Sequence, residues 1–264
     1  MSRQISFYQK NFLDFEFESV GISATQGDEF ISQVRSRSLS NGWGSTDSVD
    51  ADLTTIEVDL ADQRLSDHIM LLDHNFKDIE IERFDDLTST WEPWIELNGI
   101  DQDTTFIPFP ERLVRQFRII ILGTQEPDQP KRLSRLVCTK ELGQFEHFPK
   151  IENVEHNRLV NVREVISGKG SVIRQAGRFQ FSLTIPVWKQ LKDFELIERL
   201  FRQVEGFEVS ISSGDGSQFR FGAKGYRPKD LYLMTLVNNY SPEFLEGIYV
   251  NGLDLDLNFL EVVT

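Results

Sequence analysis

Residues 54–84 read TTIEVDLADQRLSDHIMLLDHNFKDIEIERF. The first seven alternate apolar and polar through Ile56, Val58 and Leu60. A period of two predicts a strand with one buried face. HIMLL (68–72) is a short apolar run between polar residues, and FKDIEIERF (76–84) alternates again at Ile79 and Ile81. Working outward, WEPWIEL (91–97) reads as a strand that Pro93 demotes to an edge, because proline cannot donate to a ladder. VRQFRIIIL (114–122) and RLSRLVCTK (132–140) complete the set. Turn-forming clusters separate them at NGWGS, RFDD, NGIDQD, IPFPER and GTQEPDQP. Short strands at this spacing predict a β-sandwich or jelly roll.

The remainder has another grain. NVREVIS (161–167) and GRFQFSLTIPVW (177–188) read as long strands, with GKG (168–170) as a turn or loop between them. In DFELIERLFRQVEG (193–206), Ile197, Leu200, Phe201 and Val204 fall at helical spacing, with Phe194 on the same broad apolar face. Asp193 is the expected N-cap and Gly206 the expected stop. FEVSISS (207–213) and QFRFGAK (218–224) flank Gly214-Asp215-Gly216, a hairpin signal. LYLMTLV (231–237) and YVNGLDLDLNFLEVV (249–263) add strands, the latter alternating at Leu253, Leu255, Leu257 and Phe259. The weakly periodic FEHFPKIENVEHNRLV (145–160) marks a boundary, dividing the chain into 1–148 and 149–264. Residues 1–30 are left open between a strand of the first domain and an arm to a neighbour.

Hydrophobic residues make up 39% and charged residues 27% of the 264, which excludes disorder. No apolar run reaches the roughly 18 residues of a membrane span. MSRQISFYQKNF lacks the apolar core of a secretory signal, so synthesis and folding in a reducing cytoplasm are expected. Cys138 is the only cysteine, which rules out an intrachain disulfide. It reads as a buried small hydrophobe. Residues 1–157 carry 15 Lys+Arg and 29 Asp+Glu, a net −14; residues 158–264 carry 13 of each. The acidic part repels phosphate backbones, so nucleic acid is not an expected partner. The neutral part suits a surface set against other subunits.

NGWGSTDS (41–48), TTIEVDL, HIMLLDHNFKDIEIE, TSTWEPW (88–94), RQFRIIIL and LSRLVCTKEL together resemble the discoidin, or coagulation factor 5/8 type C, domain over about residues 30–145. That resemblance implies a jelly roll whose exposed loops bind glycans or lipid head groups. Two cysteines common in secreted members of that family are absent. The strand pair at 161–188, the helix and the strands after it look like the tail-tube type domain of phage tails. The combined expectation is a mainly β protein: a discoidin-like jelly roll followed by a tail-tube-like β-sandwich with one helix. The resemblance implies a structural component of the distal phage tail or tail tip, located in the virion. It would assemble into a ring of six copies and contact tail tube and tip or hub proteins. The alternative is a carbohydrate-binding protein acting through the jelly roll, with a host glycan as partner. In that family the ring domain commonly comes first, whereas here the sandwich does.

The candidate glycan contacts are Trp43, Trp91 and Trp94, since an exposed indole offers a flat apolar face to a sugar ring. Core packing of Trp43 and Trp91 is the competing reading. Lys169, Arg174 and Arg178 lie near the turn of the 161–188 strand pair, the candidate hairpin between subunits. Asp47, Asp50 and Asp52 follow Trp43 and are close enough to suggest calcium, which some discoidin-like domains bind near such a loop. They lack the full calcium-loop pattern, and a solvated acidic turn is the plainer reading. His68, His74, His147 and His156 are scattered without ligand spacing, so no metal site and no cofactor are assigned. Asp85-Asp86 reads as a solvated turn. No Gly-x-Ser-x-Gly elbow occurs, and Gly168-Lys169-Gly170-Ser171 lacks the upstream glycine of a phosphate loop. The chain is expected not to be an enzyme.

Overall fold

The computed structural model describes residues 3–17, 19–37, 42–47, 49–50, 52–145, 150–157, 160–163, 171–174, 178–185, 191–203, 206–213, 231–236 and 255–261. It is mainly β and forms two units: 11–141, and 1–10 together with 142–264. The chain opens with β1 (Arg3–Tyr8). The first unit then holds β2 (Gly21–Ala24), a short helix α1 (Asp28–Ile31), β3 (Trp43–Gly44), β4 (Thr54–His74), β5 (Phe76–Asp85), β6 (Thr90–Leu97), β7 (Thr104–Thr124) and β8 (Arg132–Thr139).

β4 and β7 are each 21 residues long and serve both layers of a sandwich. Their pairing slips between Asp59 and Arg64, where Ala61 takes φ 64° and donates its N–H to Asp59 Oδ1 at 2.8 Å. Before the slip, β4 pairs with β2 and with the end of β7, which continues through β5 to β6 in a five-stranded layer. Beyond it, β4 pairs with β8 and the start of β7, and β3 adds to β8. The alternation at 54–60 and 76–84 points Ile56, Val58, Leu60, Ile79 and Ile81 inward. They meet Phe117, Ile119 and Ile121, and, from the other layer, Ile69, Leu71, Leu136 and Cys138 in one buried cluster. The unit is an antiparallel β-sandwich of jelly-roll type.

One element of this unit differs from the sequence expectation. The expected turn at IPFPER is strand. Pro108 pairs with His68 where β7 forms the edge of its layer, so the missing donor faces no ladder. Pro93 sits in the edge strand β6, as its chemistry requires.

The second unit continues with β9 (Glu141–Gln144), β10 (Lys150–Asn157), β11 (Val160–Arg163), β12 (Ser171–Arg174), β13 (Arg178–Ile185), α2 (Leu191–Phe201), β14 (Phe207–Ser213), β15 (Tyr232–Leu236) and β16 (Leu255–Glu261). Its sheet runs β10-β13-β16-β15-β14-β1-β9. Leu196, Ile197 and Leu200 of α2 join Ile5, Phe7, Phe145, Phe207 and Phe259 in a second buried cluster. Phe7 sits among three rings, 5.2 Å from Phe145, 5.7 Å from Phe207 and 5.9 Å from Phe259. A division at 148/149 differs from the structure at the N-terminus. β1 pairs with β14 over six residues, from Arg3↔Ser213 to Tyr8↔Glu208, so residues 3–8 are a strand of the second unit. The helix begins at Leu191, so Asp193 is a buried first-turn residue and not the N-cap. The expected hairpin at 207–224 lies outside the described residues beyond β14. All of the net charge sits in residues 11–141, with 12 basic and 26 acidic side chains.

Candidate functional site

The outward face of the five-stranded layer follows from register. Glu57 pairs with Arg118, and Arg118 with Glu82. One step along, Gly21 pairs with Asp59, Asp59 with Gln116, and Phe84 with Trp91. The alternation that buries Ile56 and Val58 therefore aims Glu57 and Asp59 at solvent. Arg118 Nε donates to Glu82 Oε2 at 2.5 Å, and its Nη1 lies 3.9 Å from Glu57 Oε1. Gln116 Nε2 donates to Asp59 Oδ2 at 2.6 Å. The Arg118 guanidinium stands 4.6 Å from the Trp91 ring centre, and Phe84 meets that ring edge-on at 5.4 Å. Trp91 walls a groove of about 370 Å³ with Gly21, Ile22, Ser23, Glu57, Val58, Asp59 and Gln116. A flat ring, two carboxylates and an amide thus share one concave surface.

The three tryptophans part company. Trp43 is 1% exposed, and its Nε1–H donates to Gln26 O at 2.9 Å. It is a core residue and cannot offer a face to a ligand, which corrects its candidacy. Trp94 is the extra residue where β6 slips against β5, since Ile81 pairs with Ile95 and Glu82 with Pro93. It packs on Phe109 at 4.4 Å and under Arg112 at 5.4 Å. It also borders a groove of about 430 Å³ with Glu80, Glu82, Pro93 and Glu96. Trp91 alone combines an outward position with the 370 Å³ groove. Glu57, Asp59 and Gln116 were not singled out by sequence, although the alternation in TTIEVDL marks the two carboxylates as outward.

The remaining candidates divide between residues with structural contacts and residues outside the description. Lys169 lies outside the described residues. Arg174 and Arg178 fall in the backbone of β12 and β13, and their side chains lie outside the described residues. The expected pairing of 161–167 with 177–188 is not the one found: β11 pairs antiparallel with β12, from Val160↔Arg174 to Arg163↔Ser171, while β13 pairs with β10 and β16. His68 Nδ1 is 2.7 Å from Asp67 Oδ1. His74 is buried: Nδ1 accepts the Phe76 N–H at 3.0 Å, which leaves Nε2–H for Thr105 Oγ1 at 2.9 Å. Burial pulls its pKa down from 6.5 to about 4, with Asp103 and Asp73 opposing. His147, and the side chain of His156, lie outside the described residues. Burial pushes the Cys138 thiol up to about 12, so the residue is not a nucleophile. Asp85 caps its own turn, accepting the Leu87 N–H at 2.9 Å. Among the described residues no three His, Cys, Asp or Glu gather as a metal site. In the loop after Trp43, Asp50 Oδ1 accepts from Thr124 N–H at 3.2 Å and Thr124 Oγ1 at 2.8 Å, while Asp47 Oδ1 accepts from Val49 N–H at 3.0 Å. A hydrogen bond with Asp47, and that residue's charge, raise the Asp52 carboxyl.

No family model and no curated protein matches this chain. Solved structures similar to it include chitosan-binding module 1 of a Paenibacillus sp. IK-5 chitosanase/glucanase, at 19% identity over 49% of this chain and 98% of that one, TM-score 0.41. The family 32 carbohydrate-binding module of C. perfringens NanJ, in complex with galactose, is similar at 12% identity over 52% and 99%, TM-score 0.42. A Ruminococcus gnavus GH29 fucosidase in complex with fucose is similar at 17% identity over 50% of this chain, TM-score 0.42; the chain spans about a quarter (26%) of it.

Proposed function

We propose that the sandwich unit is a carbohydrate-binding module that takes sugar on the outward face of its five-stranded layer, at Trp91. The observation that carries this is the Trp91 indole walling a groove beside Glu57, Asp59 and Gln116. A sugar ring has an apolar face that stacks on an indole and a rim of hydroxyls that donate to carboxylates. Arg118, held between Glu82 and Glu57, fixes the ring from its side of the groove, so little order is lost on binding. The proposal is of a binding protein and not an enzyme. Its test is a glycan array on the full chain that includes glucosamine and galactose oligomers, the sugars for which similar modules are named. Calorimetry on the best ligand follows. Trp91→Ala should lose about tenfold or more in affinity with its melting temperature kept, as for a buried aromatic anchor. An array without binding, or a Trp91→Ala chain that binds as well as the parent, contradicts the proposal.

A second reading, a ring-forming component of a phage tail carried in the virion, draws on the second unit. Strand β10 ends its sheet without a further partner among the described residues, and the β11–β12 pair follows it in sequence. An open edge favours strand pairing between copies. Here the chain begins in that unit, with the sandwich inserted after β1. Light scattering over a concentration series tests this reading, for which a closed ring of several copies is the expected species.

A further inference from the structure

Some discoidin-like domains bind calcium near a loop such as that after Trp43, and the three aspartates there invite the comparison. We infer that the Lys131 ammonium is the resident cation of this loop and fills the place a calcium ion would take. Lys131 stands one residue before β8 with its side chain 0% exposed. Its Nζ donates to Asp52 O at 2.7 Å and Val49 O at 3.3 Å. Its main chain is tied to the start of the same loop. The N–H donates to Ser45 Oγ at 2.9 Å, and the carbonyl accepts from Ser45 N–H at 2.8 Å. The Ser45 hydroxyl in turn donates to Asp47 O at 2.5 Å.

Calcium needs about six to eight oxygens around one point. The Asp52 carboxyl meets that of Asp47 beside the ammonium, and the Asp50 and Asp47 carboxylates already accept hydrogen bonds. Asp50 holds Thr124 and approaches Asp128 N at 3.4 Å, and Asp47 holds Val49. The two carbonyls that do converge already receive the ammonium. A calcium ion placed there would sit against a buried positive charge, so the residues present do not fit the metal. A buried ammonium is itself costly unless it is hydrogen-bonded and faces negative charge. The convergent carbonyls and the acidic loop meet that condition. Lys131 holds Ser45 through its main chain and Val49 and Asp52 through its ammonium, so one residue ties three points of this loop.

The test melts the full chain in EDTA and in millimolar calcium, beside Lys131→Met, which keeps the stem and removes the charge. The parent should melt at one temperature in both buffers and give no heat on titration with calcium chloride. Lys131→Met should melt about 5 °C or more lower in EDTA and recover part of that in calcium. A parent that binds calcium overturns the inference, and this measurement stands even if the variant does not fold. A folded variant as stable as the parent overturns it too. So does one that is weakened but indifferent to calcium, which would make Lys131 a hydrogen-bond donor without an ion's role.

Discussion

Trp43 and Trp91 are the same side chain given opposite settings by register. Trp43 is sealed in the core with its N–H bonded to Gln26, while Trp91 follows the outward row that begins at Gly21. Sequence alone named both, because an indole near turn residues looks alike in either setting. What it could not supply was the slip in β6 that separates Trp91 from Trp94. His74 carries a pH prediction. Its folded pKa, about 4, lies below the unfolded 6.5, so the unfolded chain binds the proton more readily between those values. The contribution is complete above pH 6.5 and is lost as pH falls toward 4. The shift corresponds to about 3 kcal/mol. Urea unfolding at pH 7 and pH 4.5 should show a smaller loss of stability in His74→Gln than in the parent; equal losses would remove His74 as a cause. Cys138 should resist thiol reagents in the folded chain and react once it is denatured.

At the scale of elements, the strands were legible where alternation meets a single buried face. TTIEVDL, FKDIEIERF and WEPWIEL each fall within an observed strand. The link between 54–60 and 68–72 in one bent strand was not, because the polar stretch ADQRLSD carries no apolar period. Pro108 and Pro110 hid the first half of β7, since a proline signals a turn unless its edge position is known. The short helix α1 went unread, as four residues are too few for a helical pattern. The long helix was read from its spacing, with its start two residues late. Gly206 was read as the stop, but the helix ends at Phe201 and Gly206 stands immediately before β14. The glycine's φ is +93°, and a Cβ there would meet Met234 O at 2.8 Å. Gly206→Ala should therefore cost about 1–3 kcal/mol in chemical unfolding. A neutral result would mean that the turn before β14 adjusts freely.

For the whole molecule, two units and their unequal charge could be read along the chain, but not the way the chain threads them. RQISFY gives no local hint that its partner is FEVSISS, some two hundred residues away. Pairing at that distance depends on the finished sheet. The threading makes a prediction. A fragment of residues 11–141 should fold alone, with cooperative thermal unfolding. A fragment of 149–264 should not, because it lacks β1 and β9 and, with them and Phe145, the Ile5, Phe7, Leu142 and Phe145 side chains of its core. A cooperative transition in 149–264 would show that β1 and β9 are dispensable. Sugar contact through Trp91 is best tested by following the indole N–H signals of the four tryptophans by NMR as the best array glycan is titrated into the full chain. The signal assigned through Trp91→Phe should move progressively while that of Trp43 stays fixed. A Trp91 signal that stays fixed while the glycan binds would place the sugar elsewhere and contradict the proposed site.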